Sequence, residues 1–281
     1  MVLADVRPSP LAGQWYPASP SALAQMVDHF LDRAQEAMPA LTGEVVGLVA
    51  PHAGYLYSGP VAGYAFAAVR GRAYDLVAVV SPMHYPARGP LLTSGHQAYA
   101  TPLGPVPVDQ TAVDALSTCL RERYGLSIFP VREDTEHALE IELPFLQRAL
   151  AQPFRLLPVM VRDQSRAVAE GLGHALAEVL REHNTLLVAS TDLSHYYPQP
   201  VAEALDHEML RRIEAFDPEE VFRAEEEGKG FACGKGALAA VMWAARDLGA
   251  THAQVLHYAT SGDTSGDYSA VVGYGAAVFL N

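Results

Sequence analysis

The sequence predicts a single-domain α/β fold with a mainly parallel sheet flanked by helices. Apolar, β-branched runs bounded by Gly and Pro alternate along the 281 residues with segments of helical periodicity. Continuous apolar runs are typical of strands covered on both faces, as in a parallel sheet. A hydrophobic content of 50% allows one large core, and α/β chains of this length commonly form one domain. We therefore expect one domain over residues 1–281, with ligands beyond the carboxyl ends of the strands.

Local signals place the elements along the chain. Ser19 and Pro20 form a cap and a first helical turn, and apolar residues follow at helical spacing. Asp109 caps a second helix, whose inner face would hold Cys119 as a core thiol. The Pro- and Gly-rich segment 86–107 is interpreted as a long excursion with room for a short hairpin, and its aromatic and Pro content favours an ordered flap over the site. Further helices are predicted at 61–70, 136–150, 165–182, 201–216, 218–227 and after residue 233, and strands in the run from 45 and at 75–81, 155–161, 186–190, 254–258 and 270–279.

Three predicted strands lead into polar turns that carry histidine. These residues are His52, His84 and His195, and Asp192 lies in the same turn as His195. Because the carboxyl ends of parallel strands meet at one edge, the three imidazoles should share a rim. A single histidine of this kind is more often a hydrogen-bonded loop residue, but three at equivalent positions favour a functional site.

Other candidate site residues allow two interpretations each. Cys233 lies in a Gly-rich turn before an apolar helix, where unpaired amides and the helix dipole favour thiolate, although a small buried residue also suits such a turn. His137 and Glu140 are three residues apart on a predicted helix. They would line or support the pocket, or form part of a solvated acidic face. Tyr55, in the turn after His52, is a further candidate for the pocket wall.

Composition narrows the classes of partner. A formal net charge of −13 without a Lys/Arg cluster argues against nucleic acid. Two cysteines are too few for a disulfide framework and fit a reducing compartment. The start of the chain has no cationic region leading into an apolar one, and no apolar run approaches the roughly 20 residues that span a bilayer. We expect a cytoplasmic protein with no membrane partner.

Several motifs occur in one order over nearly the whole length. They are AGQWYP, APHAGYLYSG, SPMHYPARG, TPLGPVPVD, EHALEIELPFLQ, STDLSHYYP, ACGKG and YATSGDTSGD. With these motifs the chain resembles the Memo family, in the form of the Memo-like component of the bacterial and archaeal AmmeMemoRadiSam set. The resemblance implies a fold similar to the class III extradiol dioxygenases of the LigB type, which cleave catechol rings with non-haem Fe(II).

The resemblance also implies a site. The matching residues are His52, His84, Asp192, His195 and Cys233. We expect His52, His84 and Cys233 to bind a metal, with iron (Fe²⁺) preferred over copper or zinc. His195 would act as acid/base, and Asp192 would orient it or hydrogen-bond a metal-bound water. The chain has Cys233 where the dioxygenases have a Glu ligand, and a thiolate is a softer donor.

Three functions follow as hypotheses. The first is an iron-dependent redox enzyme that acts on a small or peptidyl substrate. The second is a binding or scaffold protein with a vestigial enzyme cleft, which the family's animal members suggest through a role in phosphotyrosine signalling. The third is a hydrolase with Cys233 as nucleophile, His195 as base and Asp192 as orienting group. The expected partners are a small molecule or peptide and the other AmmeMemoRadiSam proteins.

Overall fold

The computed structural model of the protein describes residues 5–281, over which the α/β class is confirmed. The strands are β1 (Val6–Arg7), β2 (Val45–Ala50), β3 (Leu76–Pro82), β4 (Leu91–Ser94), β5 (Ala98–Tyr99), β6 (Val106–Pro107), β7 (Ile128–Val131), β8 (Arg155–Val161), β9 (Thr185–Ser190), β10 (His195–Tyr197), β11 (His252–Thr260) and β12 (Val271–Leu280). The helices are α1 (Pro20–Ala37), α2 (Tyr55–Ala67), α3 (Gln110–Cys119), α4 (Leu143–Ala149), α5 (Arg166–Leu180), α6 (Gln199–Glu214), α7 (Pro218–Glu226), α8 (Lys235–Asp247) and α9 (Ser261–Ser265), with a π-helical turn at Leu120–Tyr124 and a 3-10 turn at Glu140–Glu142.

One large mixed sheet carries the core. Its strands lie in the order β10-β12-β2-β9-β3-β8-β4-β7, and β11 pairs with β12. The four central strands β2, β9, β3 and β8 are mutually parallel, whereas β12 joins β2, and β4 joins β8, in the antiparallel sense. The predicted parallel sheet is therefore the centre of a sheet with antiparallel pairings on both sides.

Register places the strand ends side by side. Ala50 of β2 pairs with Ser190 of β9. His52 and Asp192, each two residues further on, therefore leave the sheet at the same level. β3 lies on the other side of β9 and ends at Pro82, two residues before His84.

Helices α1 and α2 pack closely because α2 is rich in small residues. Ser19 caps α1 and accepts a hydrogen bond from the Ala22 amide at 3.5 Å, as predicted. A Cβ atom at Gly59 would lie 2.4 Å from Phe30 Cε2, and one at Gly63 would lie 2.7 Å from Phe30 O. Only glycine allows this approach, which anchors α2 and so fixes the turn that carries His52.

Two regions differ from the sequence prediction. Segment 86–107 contributes β4 to the main sheet, and β5 and β6 form a small sheet with β1, so the segment is built into the body rather than laid over the site as a flap. Helix α4 begins only at Leu143, because Pro144 suits a first turn. Cys119 ends α3 at the edge of the core, partly exposed, and its Sγ lies 3.5 Å from Glu178 Oε2.

Candidate metal centre

A cluster of imidazoles lies at the carboxyl ends of the parallel strands. His52, His84 and His137 each offer a ring nitrogen, and these atoms lie within 4.8 Å of one another. The ring centroids are 5.3 Å apart for His52 and His84, and 4.6 Å apart for His84 and His137. We term these three residues the imidazole cluster, and it could hold a metal ion.

Glu136 fixes two members of the cluster. Its Oε1 lies 2.9 Å from His84 Nδ1 and accepts a hydrogen bond from the His137 amide, also at 2.9 Å, while Oε2 accepts one from the His84 amide at 2.5 Å. Burial alone would raise the pKa of Glu136, but the hydrogen bond and charge of His84 and the Ala138 amide lower it below its usual value. The carboxylate thus holds His84 through Nδ1, which leaves Nε2 free for a ligand.

His52 is held from the sheet. Its amide donates to Asp192 Oδ1 at 2.7 Å, and its Nδ1 lies 2.9 Å from Ser190 Oγ. Ser190 Oγ in turn contacts Glu142 Oε1 at 2.6 Å, in a fully buried chain from carboxyl to hydroxyl to imidazole. This chain directs His52 Nε2 toward the cluster.

Two imidazoles of the cluster, those of His52 and His137, are poor bases in this setting. Burial, followed by the neighbouring histidines, lowers the pKa of His52 well below its ordinary value. Burial likewise lowers the pKa of His137 to about 4 despite the charge of Glu136. Neutral imidazole is the form that ligates metals, so both rings are ready to bind at neutral pH.

Cys233 contacts the cluster through one member. Its Sγ lies 3.2 Å from His52 Nε2 and accepts a hydrogen bond from the Asp192 amide, also at 3.2 Å. Helix α8 begins two residues later, at Lys235. Burial, followed by the charge of Asp192, raises the pKa of the Cys233 thiol well above its ordinary value. In the chain without a metal ion, burial therefore outweighs the unpaired amides and the helix start that were expected to favour thiolate.

His195 and Asp192 lie beside the cluster but are held by different partners. His195 Nδ1 lies 2.9 Å from Leu193 O, so the orienting contact is a backbone carbonyl rather than Asp192. Burial lowers the pKa of His195 below its ordinary value. Burial raises the pKa of Asp192 to about 7, against the opposing hydrogen bond from the His52 amide.

Glu140 and Tyr55 support the surroundings of the site. Glu140 is fully buried, and Arg7 Nη1 donates to its Oε2 at 2.6 Å. The Tyr55 hydroxyl donates to Ile141 O at 2.8 Å, and its ring packs 4.9 Å from that of Phe145. Both side chains therefore brace the 3-10 turn and α4.

Sequence reasoning missed the residues that position the imidazoles. Glu136, Glu142 and Ser190 were not proposed for the site, and neither was Trp15, whose ring lies 4.5 Å from that of His137. The acidic run around residues 134–142 resembled a solvated face, but Glu136, Glu140 and Glu142 are each at most 1% exposed. The sequence did contain a signal of this burial, because these carboxylates alternate with aliphatic residues.

Fold and site together define a single-domain α/β protein with a candidate metal centre at the ends of its parallel strands. The profile of the Memo-like protein family matches residues 7–278. The chain therefore belongs to the Memo-like family, as its motifs had indicated.

Relatives from archaea match over nearly their whole lengths. The MEMO1 family protein of Nitrosopumilus maritimus is 34% identical over 277 residues, covering 98% of this chain and 100% of the relative. Those of Methanopyrus kandleri and Methanothermobacter thermautotrophicus are 36% and 35% identical, each covering 96% of this chain and 97% and 98% of the relative. Within residues 5–281, no helix is both long enough and apolar enough to cross a membrane.

Proposed function

We propose that this protein is a non-haem iron-dependent redox enzyme that acts on a small or peptidyl substrate. The observation that carries the proposal is the imidazole cluster, whose nitrogens lie within 4.8 Å of one another at the strand ends. The donors suit a first-row metal because imidazole and sulfur are ligands that iron, copper and zinc accept. His137 also lies within the cluster, and its Nδ1, 3.3 Å from Glu136 Oε1, makes no hydrogen bond within the described chain.

His52 and His84 would hold the ion through their Nε2 atoms, and Cys233 would complete the set as the anionic ligand. His137 is the alternative third donor, since it lies within the cluster and Cys233 contacts only His52 among the three rings. When bound, iron would supply one-electron redox chemistry. His195 would hold or release a substrate proton at Nε2, because Nδ1 is engaged by Leu193 O.

Elemental analysis of anaerobically purified protein tests the metal directly. We expect about one iron per chain, and its loss in His52→Ala and His84→Ala, because each removes a donor of the cluster. The matched control is His29→Ala, an exposed histidine on α1, which should keep the iron. Full iron content in both site variants would reject the assignment.

The third ligand is tested by a matched pair of cysteine variants. Cys233→Ser should lower iron affinity, whereas Cys119→Ser, at the far end of α3, should not. Alkylation of Cys233 should be slow in the iron-loaded protein and faster after chelation, since a coordinated thiol is shielded. If His137→Ala empties the site while Cys233→Ser does not, His137 is the third ligand.

The same experiments separate the alternatives. A scaffold protein would keep its partner binding in the iron-free variants. A Cys-His-Asp hydrolase is disfavoured, because Cys233 Sγ contacts His52 rather than His195 and burial raises the pKa of the thiol. We also place the protein in the reducing cytoplasm, which suits its two unpaired cysteines.

A further inference from the structure

A small cavity bounded by α2, β10, α9 and β12 is lined by aromatic rings and a carboxylate. It has a volume of about 350 Å³, and its walls include Tyr57, Tyr196, Tyr274, Asp267 and Ser261. No Lys or Arg belongs to its described lining. The cavity is thus aromatic and anionic, in a chain whose net charge is −13.

Two residues of the cavity wall follow closely in sequence on proposed site residues. Tyr57 lies in the first turn of α2, directly after the turn of His52, and Tyr196 follows His195. Gly273, the neighbour of Tyr274, accepts a hydrogen bond from the Leu193 amide and donates one to Ser194 O, both at 2.9 Å. The cavity therefore opens beside the strand ends that carry the proposed ligands and acid/base.

Tyr274 supplies the most buried ring of the cavity wall. Its side chain is 2% exposed, whereas those of Tyr57 and Tyr196 are 40% and 76% exposed. Burial, followed by the charge of Asp192, raises the pKa of Tyr274, which keeps the phenol neutral.

Asp267 supplies a free carboxylate oxygen at the rim. Its Oδ1 accepts hydrogen bonds from the Ser269 amide at 2.9 Å and the Ser269 hydroxyl at 2.6 Å. These bonds lower its pKa below the ordinary value, so the group is ionised at neutral pH. Oδ2 has no partner among the described residues and is available to a cation.

We propose that this cavity binds the ammonium group of an organic amine, primary or methylated, whose remainder extends toward the imidazole cluster. The faces of phenol rings attract cations, and a carboxylate within the same cavity adds direct charge pairing. The negative charge of the whole chain attracts cations over longer range. This inference rests on the proposed function in one respect, since it assigns a substrate class to the same centre.

Calorimetric titration with choline tests the cavity, and 3,3-dimethylbutan-1-ol serves as the uncharged analogue of the same shape. We expect choline to bind more tightly than the alcohol. Tyr196→Leu should weaken choline binding by about two- to thirtyfold, the range of a single cation–π contact. Asp267→Asn removes the paired charge and should also weaken choline binding. Tyr196→Phe keeps the ring and should bind as the parent protein does. Tyr197→Leu is the matched control, because Tyr197 is exposed, adjacent in sequence and not part of the cavity lining.

Equal binding of choline and the alcohol, no binding of choline, or unchanged choline binding in both Asp267→Asn and Tyr196→Leu would each overturn the inference. Repeating the titration with His52→Ala separates it from the proposed function. If the parent protein binds choline selectively but contains no iron, the metal proposal alone is rejected. If the parent protein contains iron but does not bind choline selectively, the ammonium site alone is rejected.

Discussion

Two buried polar clusters flank the same short stretch of chain, and they differ in how completely their groups are paired. Arg7, Asp134 and Glu140, with Ser9 and Tyr16, form the arginine cluster. In it Glu140 Oε1 accepts from the Ser9 hydroxyl at 2.8 Å and the Tyr16 hydroxyl at 2.7 Å, while Oε2 accepts from Arg7. Every oxygen of Glu140 is engaged, and Arg7 is 1% exposed.

The imidazole cluster lies on the other side of Glu136 and is left incomplete. The Glu136 carboxylate supports the rings, but His137 Nδ1, although 3.3 Å from Glu136 Oε1, makes no hydrogen bond in the described chain, and neither does Oε2 of the nearby Glu142. Leaving a buried polar group unpaired costs about 1–3 kcal/mol, so a fold retains such groups where something else compensates. The contrast teaches that the fully paired cluster is structural, whereas the incompletely paired cluster is the one to examine for a ligand.

The largest expected effect is on stability, through the arginine cluster. Arg7→Met leaves Asp134 and Glu140 buried without their cation, and breaking such a pair typically costs about 3–5 kcal/mol. Urea unfolding would measure this loss, and iron content in the folded fraction should stay unchanged. The control is Arg148→Met, whose partner Asp28 is half-exposed and whose loss should cost no more than about 1 kcal/mol. A folded Arg7→Met protein without iron would show that the clusters are not separate.

A smaller effect, on affinity, should come from the carboxylate of the imidazole cluster. Glu136→Gln weakens the contact that orients His84 and holds the His137 amide. Outer partners of metal-binding histidines typically contribute 10- to 100-fold to affinity, and we expect a fall in that range. Competition with a chelator would measure it, with the exposed Glu44→Gln as control. Unchanged affinity would mean that the rings do not depend on Glu136 for their orientation.

The smallest effect should appear at Glu142, which reaches His52 only through Ser190. Burial raises the pKa of Glu142 well above its ordinary value, so the folded protein holds a proton that the unfolded chain releases above about pH 4.3. The free energy of unfolding should therefore fall as the pH rises above about 4.3. It should stop falling once Glu142 ionises in the folded protein. Glu142→Gln removes this dependence and should lower iron affinity by no more than about tenfold.

Urea unfolding from pH 5 to pH 8 would follow the difference between the parent protein and Glu142→Gln. We expect the parent to lose stability relative to the variant across that range. Parallel curves for the two proteins would contradict the raised pKa, and Glu44→Gln should give parallel curves because Glu44 is exposed.

The parts of the fold that local chemistry determines could be predicted from the sequence. Apolar runs marked the central strands, and Ser19 and Asp109 marked the starts of α1 and α3, because caps act on the backbone within three residues. The antiparallel pairings of β4 and β12 were harder to predict, since they depend on partners far along the chain.

The same limit applied to the site. His52 and His84 were identified because they follow strands directly, whereas the inward direction of Glu136 and Glu142 depends on contacts with other segments. Ser190 contacts Glu142 across 48 positions of sequence, and His84 contacts Glu136 across 52. An acidic run therefore looked like surface until its distant partners were known.

The single carboxylate that holds both His84 and His137 has a mechanical consequence. Glu136 joins the His84 ring and the His137 backbone amide to one anchor, whereas His52 is tied to β9 through Asp192 and Ser190. A displacement of Glu136 would therefore shift His84 and His137 together, and a displacement of Asp192 or Ser190 would shift His52 alone.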